Sequence, residues 1–335
     1  MIKVAINGFG RIGRLAFREM IVSEDFDIVA INDLTDAEEL SYLLRYDTNH
    51  RSYHEDKITY DKDEIIINNK KRVKVYAETD PENLPWKELD VDLVLECTGL
   101  FTELEKARKH ITAGAKKVLI SAPGKGEMKT IVYNVNDNTL DGTEEVVSAA
   151  SCTTNCLAPV LKVINDHNKI QKGFMTTIHA YTNDQATLDI AHKKGYKERR
   201  GRACAANIVP ASTGAAKAIG KVIPALKGKM DGNAFRVPVP DGSMIDVVLE
   251  LERKTSVKEI NELLQNNQNE TLKFTMDPVV SSDIIGKNCG ALVDGMLTNL
   301  VQNEGKQLIK VVAWYDNELG YTAQMIRTAK CLFKK

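Results

Sequence analysis

The stretch that decides the fold lies near the N-terminus of this 335-residue chain, where residues 2–13 read IKVAINGFGRIG. Residues 2–6 have the composition of a buried strand, and glycines follow at positions 8, 10 and 13. After the last glycine, residues 14–21 carry apolar side chains at helical spacing. A strand, a glycine-rich turn and a helix in this order predict the first part of an α/β domain with a parallel sheet.

The same stretch has the spacing of a dinucleotide-binding fingerprint. A second predicted strand, residues 26–31, ends just before Asp33, which follows Gly13 by twenty residues. In such a fingerprint the glycines allow a tight turn and close backbone approach, the helix N-terminus faces the pyrophosphate, and the acid accepts hydrogen bonds from the ribose hydroxyls. The alternative is a turn that only packs a helix on a strand. Because strand, helix and acid all occur in place, the pattern favours a cofactor site.

Further segments extend this domain to residue 150. Residues 91–99 and 117–122 predict short buried strands, and residues 103–113 predict a helix between them. Open parallel sheets bind ligands at the carboxyl ends of their strands, which makes Thr98 and Ser121 candidates for lining the cofactor crevice. Ordinary turns from strand to loop explain these two residues nearly as well.

After residue 150 the pattern changes to longer strands rich in β-branched and aromatic residues. Residues 174–181, 233–240, 244–251 and 309–315 predict a mostly antiparallel sheet, and the last residues predict an amphipathic helix. We therefore predict a Rossmann doubly wound domain, residues 1–150, and an α+β catalytic domain, residues 151–316. The C-terminal helix, residues 317–335, is expected to pack back on the first domain.

Composition limits the partners and the compartment. The chain has 45 basic and 46 acidic residues and a formal charge of −1, so no global field favours nucleic acid or an anionic membrane. No run approaches the roughly 18 apolar residues that span a bilayer, and the N-terminus lacks the pattern of a secretory signal. Six cysteines, none in a C-x-x-C pair, indicate neither a disulfide scaffold nor a metal site. We expect a cytoplasmic protein with reduced thiols.

Two of these cysteines lie in residues 150–159, which read ASCTTNCLAP. Ser151 is a suitable N-cap, so Cys152 falls in the first turn of a helix, where backbone amides and the helix dipole are expected to lower its pKa. Cys156 lies one turn later on the apolar stripe and is expected to be a core residue. Pro159 removes a backbone hydrogen bond and is expected to kink this helix.

His179 is the best candidate for a base that would partner Cys152. It lies near the end of the predicted strand 174–181 and is followed by the polar run YTND, which a purely structural strand end would not need. An isolated histidine is more often structural, so the pattern alone leaves both roles open.

Six motifs carry a family resemblance. In chain order they are residues 6–14 (INGFGRIGR), 150–159 (ASCTTNCLAP), 179–185 (HAYTNDQ), 212–218 (STGAAKA), 236–240 (RVPVP) and 314–318 (WYDNE). Together they resemble the phosphorylating glyceraldehyde-3-phosphate dehydrogenases from end to end. The resemblance implies a glycolytic, NAD-dependent conversion of glyceraldehyde 3-phosphate and inorganic phosphate to 1,3-bisphosphoglycerate, by a homotetramer.

The resemblance also implies a role for each motif residue. Cys152 would form a hemithioacetal and then a thioester, with His179 as base. The substrate phosphate would be held by Thr182 and Arg236, with Asp184 as an orienting neighbour. The attacking phosphate would be held by Ser151, Thr153, Thr213 and Gly214, with Arg200 near both phosphates. Asn183 and Asn317 would fix the nicotinamide carboxamide, and the other expected cofactor residues are Gly8, Gly10, Arg11, Ile12, Gly13, Asp33, Thr98 and Ser121.

Two places depart from the family pattern. Residues 192–202 form a basic segment that is longer than the family's usual run between the histidine and the arginines. We interpret it as a solvated loop or, by the resemblance, as a subunit-interface segment beside a neighbour's cofactor. Binding of nucleic acid there has little support, because Tyr196 is the one aromatic residue in the segment. Leu319 replaces the aromatic residue often found in the C-terminal motif.

Cofactor choice and two rival functions complete the expectations. Asp33 would repel a 2′-phosphate and Leu34 offers it no donor, which favours NAD over NADP. Ala191, where NAD-specific members commonly carry proline, leaves room near the ribose, so we expect some residual NADP activity. The rival functions are erythrose-4-phosphate dehydrogenase and a non-catalytic Rossmann-domain protein that contacts RNA through its basic loop.

Overall fold

The protein is described by a computed structural model that covers residues 1–334 in detail. The chain divides into two compact units. The first comprises Met1–Ile131, Asp137–Ala150 and residues 325–334, and the second comprises Val132–Asn136 and Ser151–Gln324.

The first unit is built on a nine-stranded sheet. Its strands are β1 (Ile2–Asn7), β2 (Phe26–Asn32), β3 (Ile58–Asp61), β4 (Glu64–Ile67), β5 (Lys71–Tyr76), β6 (Leu93–Glu96), β7 (Lys117–Ile120), β8 (Lys129–Thr130) and β9 (Val146–Ser148). Their order is β3-β4-β5-β2-β1-β6-β7-β9-β8, and only the pairs β3–β4 and β4–β5 are antiparallel. The predicted parallel sheet is confirmed. The antiparallel extension was not predicted.

The helical segments of the first unit follow the sheet strands. They are α1 (Arg11–Met20), α2 (Ala37–Arg45), α3 (Leu104–Ala107) and α4 (Lys109–Thr112). The helix predicted over residues 103–113 is therefore two short segments, α3 and α4. Strand β6 is buried along its whole length, and β1 over its last four residues, as expected for central parallel strands covered on both faces.

The second unit is built on an eight-stranded sheet. Its strands are β10 (Ile170–Ala180), β11 (Val209–Ser212), β12 (Met230–Val237), β13 (Ser243–Leu251), β14 (Leu272–Thr275), β15 (Ala291–Asp294), β16 (Asn299–Asn303) and β17 (Lys306–Tyr315). The order is β11-β12-β10-β13-β17-β15-β14, with β16 paired to β17. The pairs β10–β12 and β14–β15 are parallel and the others antiparallel, so the predicted mostly antiparallel sheet is confirmed.

The remaining helices are α5 (Cys152–His167), α6 (Ala215–Val222), α7 (Val257–Asn266), α8 (Ser281–Ile284) and α9 (Leu319–Cys331). Helix α5 begins as predicted: the Ser151 hydroxyl oxygen accepts the Thr154 N–H at 3.1 Å and caps the first turn. The helix runs on through Pro159 to His167. Cys156 is fully buried, which confirms its expected place in the core.

Candidate active site

Cys152 and His179 meet in the second unit. Cys152 is the first residue of α5, and His179 is the penultimate residue of β10. The Cys152 Sγ lies 3.4 Å from the His179 Nε2, within hydrogen-bond reach for a sulfur atom. The fold thus brings a thiol at a helix N-terminus together with an imidazole from a neighbouring strand.

The protonation pattern of His179 follows from its neighbours. Its Nδ1 lies 2.7 Å from the Ala180 carbonyl, which can only accept, so Nδ1 carries the proton. The Arg236 NH1 group is also 3.0 Å from Nδ1, but its two hydrogens are directed to the Ala180 carbonyl and the Thr182 hydroxyl, each at 2.9 Å. The lone pair on Nε2 therefore faces the thiol. In this tautomer His179 can accept a proton from Cys152.

Burial determines the charge of both groups. Burial first, and then the positive charge of Arg236, lowers the pKa of His179 to about 3, so the ring is neutral at pH 7. Burial also raises the pKa of the Cys152 thiol, while the charge of Arg236 and hydrogen bonds with Thr153 offset part of the rise. The expectation of a lowered pKa for Cys152 is wrong in net direction, because the loss of water outweighs the helix amides. The thiol therefore needs a base, and His179 is placed to serve.

The residues predicted to hold the substrate phosphate form a connected group. Arg236 lies beside His179 because β10 and β12 pair in parallel register, with the two residues opposite each other. Its NH1 donates to Thr182, the Thr182 hydroxyl donates to Asp184, and the Asp184 carboxylate accepts from Arg200. This series of hydrogen bonds thus links Arg236 to Arg200, the two arginines predicted to bind phosphate.

Arg236 has unused capacity to bind an anion. Its buried Nε has no hydrogen-bond partner, and among residues 1–334 no carboxylate lies within 4.0 Å of its guanidinium. Burial and the charge of Arg236 lower the pKa of Arg200, so the two cations are close enough to repel each other. A buried donor without a partner is costly, and a phosphate oxygen is a suitable acceptor for it.

The residues predicted to hold the attacking phosphate occupy two helix starts. Ser151 and Thr153 flank Cys152 at the start of α5. Thr213 and Gly214 precede α6, which packs against α5, and the Thr213 hydroxyl oxygen accepts the Ala215 N–H at 3.2 Å. The Ser151 and Thr213 hydroxyls accept backbone N–H groups at these helix starts, whereas the Thr153 hydroxyl bonds to Tyr315.

Tyr315 is a site residue that the sequence analysis missed. Its hydroxyl lies 2.9 Å from the Thr153 Oγ1 and 2.8 Å from the Thr177 Oγ1, and its ring stands edge-on to His179 with centroids 5.9 Å apart. The residue is buried and ends β17. It ties the start of α5 to the strand that carries His179. Its position at the end of a strand in the WYDNE motif was the available signal.

A separate cavity of about 450 Å³ lies in the first unit, at the carboxyl ends of the parallel strands. Four of the predicted cofactor residues line it, namely Gly8, Gly10, Asp33 and Thr98. The other lining residues are Asn7, Asn32, Leu34, Glu78, Thr79, Cys97, Leu100 and Phe101. Asn7 and Asn32 end β1 and β2, and polar residues at such strand ends were a signal that the sequence analysis did not use.

The glycine fingerprint shapes this cavity. Gly8 has a φ of +91°, and a Cβ there would lie 2.7 Å from the Thr98 backbone nitrogen. A Cβ at Gly13 would lie 2.1 Å from the Gly8 carbonyl oxygen, so this glycine lets α1 approach β1. A Cβ at Gly10 would meet nothing within 4 Å, and no side chain caps α1. The uncapped N-terminus beside open space fits a pyrophosphate.

The other predicted cofactor residues have varied surroundings. The Phe9 N–H donates to the Asp33 Oδ2 at 2.7 Å, which ties the glycine turn to the end of β2. The Arg11 guanidinium pairs with both oxygens of Asp47, so its side chain is already engaged. The backbone N–H groups of Arg11 and Ile12 lie in the first turn of α1. Ser121 follows β7, and its hydroxyl offsets part of the rise in the pKa of the Cys97 thiol that burial causes. In the second unit Asn183 is exposed, whereas Asn317 is buried and accepts from the Ser243 hydroxyl at 2.6 Å.

The basic segment 192–202 contains turns and a short 3₁₀ helix, Arg199–Gly201. Tyr196 is almost fully exposed, and Arg202 pairs with Asp189 at 2.9 Å. Among residues 1–334 no helix combines the length and apolarity required to cross a membrane.

Comparisons with known proteins agree on one family. The family model described as glyceraldehyde 3-phosphate dehydrogenase, NAD binding domain, matches residues 2–104, and the corresponding C-terminal domain matches residues 151–317. A glyceraldehyde-3-phosphate dehydrogenase from Clostridium pasteurianum is 55% identical over 334 residues, covering 100% of this chain and 99% of that protein. Proteins of the same name from Clostridium acetobutylicum and Streptococcus pyogenes are 56% and 53% identical over 328 and 335 residues, covering 98% and 100% of this chain and 97% and 99% of theirs.

Proposed function

Because the chain belongs to the glyceraldehyde-3-phosphate dehydrogenase family, we propose that Cys152 is its nucleophile and His179 its general base. The enzyme is an NAD-dependent oxidoreductase of glycolysis. The observation that carries the assignment of residues is the 3.4 Å contact between the Cys152 Sγ and a His179 Nε2 whose lone pair faces the thiol. The relatives, all named for this activity, do not favour erythrose-4-phosphate dehydrogenase.

The two side chains perform the proton transfers. His179 takes the thiol proton as the sulfur of Cys152 bonds to the aldehyde carbon, and it returns that proton to the oxygen to complete the hemithioacetal. Bound NAD supplies the hydride acceptor for the oxidation. His179 takes the hydroxyl proton in that oxidation, and a thioester on Cys152 remains. Attack by inorganic phosphate releases the acyl phosphate and restores the thiolate, which recovers a proton from His179.

The anion sites follow from the donors beside this pair. The substrate phosphate binds the free Nε and NH2 edge of Arg236, with Thr182 and the Asp184–Arg200 pair alongside. The attacking phosphate binds the residues that begin α5 and α6, namely Ser151, Thr153, Thr213 and Gly214.

The cofactor is held by the fingerprint residues and by two amides. Gly8, Gly10 and Gly13, with the first-turn amides of Arg11 and Ile12, form the pyrophosphate side. Asp33 accepts from the adenosine ribose, and Thr98 and Ser121 lie at strand ends on the cofactor path. Asn183 and Asn317 bind the nicotinamide carboxamide. Residues 1–150 thus supply most of the cofactor site, and residues 151–316 supply the substrate site and contribute Asn183 to the cofactor.

The protein associates with itself, as a homotetramer, in the cytoplasm. Three large apolar side chains, Phe174, Val301 and Leu308, are exposed on the sheet of the second unit, where a second copy would cover them. Sedimentation of the purified protein tests the assembly, and a monomer at micromolar concentration would contradict it.

Replacement of Cys152 by serine tests the nucleophile. We expect Cys152→Ser to abolish turnover while NAD still binds, because the serine hydroxyl is a far weaker nucleophile than a thiol served by His179. Cys156→Ala is the matched control, since this cysteine lies one turn along the same helix. Near-normal turnover in Cys152→Ser would refute the assignment. So would first alkylation at Cys97, whose pKa burial raises to about 12, or at Cys289.

The choice of aldehyde tests the substrate. Initial rates with glyceraldehyde 3-phosphate and erythrose 4-phosphate are compared with and without inorganic phosphate. We expect the first aldehyde to be preferred and the rate to depend on phosphate. Preference for erythrose 4-phosphate, or no turnover of either aldehyde, would favour one of the rival functions.

A further inference from the structure

A chain of buried polar side chains lies behind the cofactor cavity. At its centre are Glu96, the last residue of β6, and His110 in α4, whose side chains are both 0% exposed. Neither residue lines the cavity. A carboxylate so deeply buried is tolerated only when hydrogen bonds satisfy its oxygens, so the partners of Glu96 are informative.

The Glu96 carboxylate accepts each of the hydrogen bonds that it forms with residues 1–334. Its Oε2 lies 2.5 Å from the Asn7 Nδ2 and 3.1 Å from the His110 Nε2. Its Oε1 accepts from the Thr98 N–H at 2.9 Å and from the Thr98 hydroxyl. Four donors from three residues therefore converge on one side chain.

The direction of these bonds is fixed from the His110 side. The Trp86 Nε1 lies 3.0 Å from the His110 Nδ1, and an indole N–H can only donate. The His110 Nδ1 must therefore accept, and its proton resides on Nε2. That N–H points to Glu96. The hydrogen bonds from Trp86 through His110, the first arm of this polar network, therefore require an acceptor at position 96.

The direction is also fixed from the other side, by a backbone segment. The Asn32 amide accepts the Glu78 N–H and donates to the Glu78 carbonyl, each at 2.9 Å, so it cannot be turned over. Its Nδ2 also donates to the Asn7 Oδ1 at 2.7 Å, which leaves the Asn7 Nδ2 to donate to Glu96. Both arms therefore end in a donor at the Glu96 Oε2, and the Thr98 backbone N–H is a further donor at Oε1, so position 96 requires an acceptor oxygen at both places.

The residues held in this way form much of the cavity wall. Asn7, Asn32, Glu78 and Thr98 all line the cavity, and the ring of Phe101, another lining residue, stands edge-on to His110 with centroids 6.2 Å apart. These residues come from the ends of β1 and β2 and from the loops after β5 and β6. The sheet already pairs these strand ends through their backbones, and the polar chain adds the side-chain hydrogen bonds that orient Asn7, Asn32 and Thr98 toward the loops after β5 and β6.

We propose that Glu96 and His110 are positioning residues for the dinucleotide, which hold the adenosine-side wall of the cavity without touching the cofactor. This rests on the proposed function in one respect, that NAD occupies this cavity. If the wall is displaced, the cofactor loses complementary contacts in both the ground state and the transition state. The expected signature is weaker NAD binding with turnover at saturating NAD little changed.

Glu96→Gln is the sharpest test, because it keeps the shape and replaces one acceptor oxygen with a donor. The amide oxygen can take the place of Oε2 and accept from both arms, so the amide nitrogen takes the place of Oε1. There it faces the Thr98 backbone N–H, which can only donate, and a buried donor is left against another donor. We expect the dissociation constant and the KM for NAD to rise roughly ten- to a hundredfold, with kcat at saturation changed less than about threefold. NAD binding is measured directly by fluorescence titration of the full-length protein, so the result does not depend on which residue is the nucleophile.

A pair of His110 variants separates positioning from simple loss of packing. In His110→Gln the amide oxygen can accept from Trp86 and the amide nitrogen can donate to Glu96, so binding of NAD should stay within about threefold of the unmodified protein. His110→Leu supplies neither group and should weaken NAD binding about as much as Glu96→Gln. Should Glu96→Gln fail to fold, this pair still decides the question.

Ile65→Ala is the matched control for stability, since Ile65 is fully buried in β4 and does not line the cavity. It should lower the free energy of unfolding without changing the affinity for NAD. The proposal is overturned if Glu96→Gln binds NAD normally, or if His110→Gln is as defective as His110→Leu. Weakened binding in these variants alongside full activity of Cys152→Ser would refute the proposed nucleophile and leave this inference standing.

Discussion

Replacement of Arg236 by leucine separates recognition of phosphate from chemistry at the thiol. The NH1 of Arg236 already donates to Ala180 and Thr182, so an incoming phosphate would bind the Nε and NH2 edge. Losing this buried, charge-assisted pair of hydrogen bonds costs about 3 kcal/mol. At 1.36 kcal/mol for each factor of ten, that corresponds to roughly a 150-fold lower kcat/KM for glyceraldehyde 3-phosphate.

The same substitution has a smaller effect that does not depend on substrate phosphate. Arg236 is the largest influence that lowers the pKa of Cys152, and its charge also lowers the pKa of His179. Without it, both pKa values rise. We therefore expect the rate of Cys152 alkylation at pH 8 to fall and its pH profile to move to higher pH. Activity on unphosphorylated glyceraldehyde should fall by severalfold only.

The assay is kcat/KM for the two aldehydes at saturating NAD and inorganic phosphate. Arg236→Lys is the matched control, since it keeps the charge but loses the planar fork and should give an intermediate loss. An equal fall in kcat/KM for both aldehydes in Arg236→Leu would show that this arginine supports the structure of the site and does not bind the substrate phosphate. An unchanged ratio of the two kcat/KM values would therefore refute the phosphate assignment.

Three further results are expected. NAD should be preferred with some residual NADP activity, because the Asp33 carboxylate repels a 2′-phosphate; parity of kcat/KM for the two cofactors would show that the loop around Ala191 overrides it. Gly8→Ala should lower the free energy of unfolding by at least about 1–2 kcal/mol in urea titrations, because its φ is +91° and its Cβ would overlap the Thr98 backbone; an unchanged midpoint would contradict this strain. Since the folded-state pKa of His179 is about 3, below its unfolded value, stability should fall as the pH drops from about 6.5 toward 3, and His179→Gln should flatten that part of the pH profile; an identical profile would contradict the lowered pKa.

Local patterns in the sequence predicted the elements that depend on short-range rules. The glycine fingerprint predicted β1, α1 and β2. It is a reliable local signal because the positive φ at Gly8 and the close approach of α1 to β1 at Gly13 exclude larger residues from these two positions. The N-cap at Ser151 fixed the start of α5 and the place of Cys152. Where the local signal was weak, the prediction was incomplete: the antiparallel strands β3 and β4 are four residues each, too short for a clear period.

The sequence by itself determined the two-sheet architecture, the glycine turn and the presence of a thiol at a helix start, since each follows from residues close together in the chain. Tertiary structure alone decided what surrounds them. The register of β10 on β12 placed Arg236 beside His179, and burial raised the pKa of Cys152 that its helix position was expected to lower. The side chains that meet Glu96 come from positions up to 89 residues away. Such contacts depend on packing of distant segments and on the exclusion of water, which no local pattern of residues encodes.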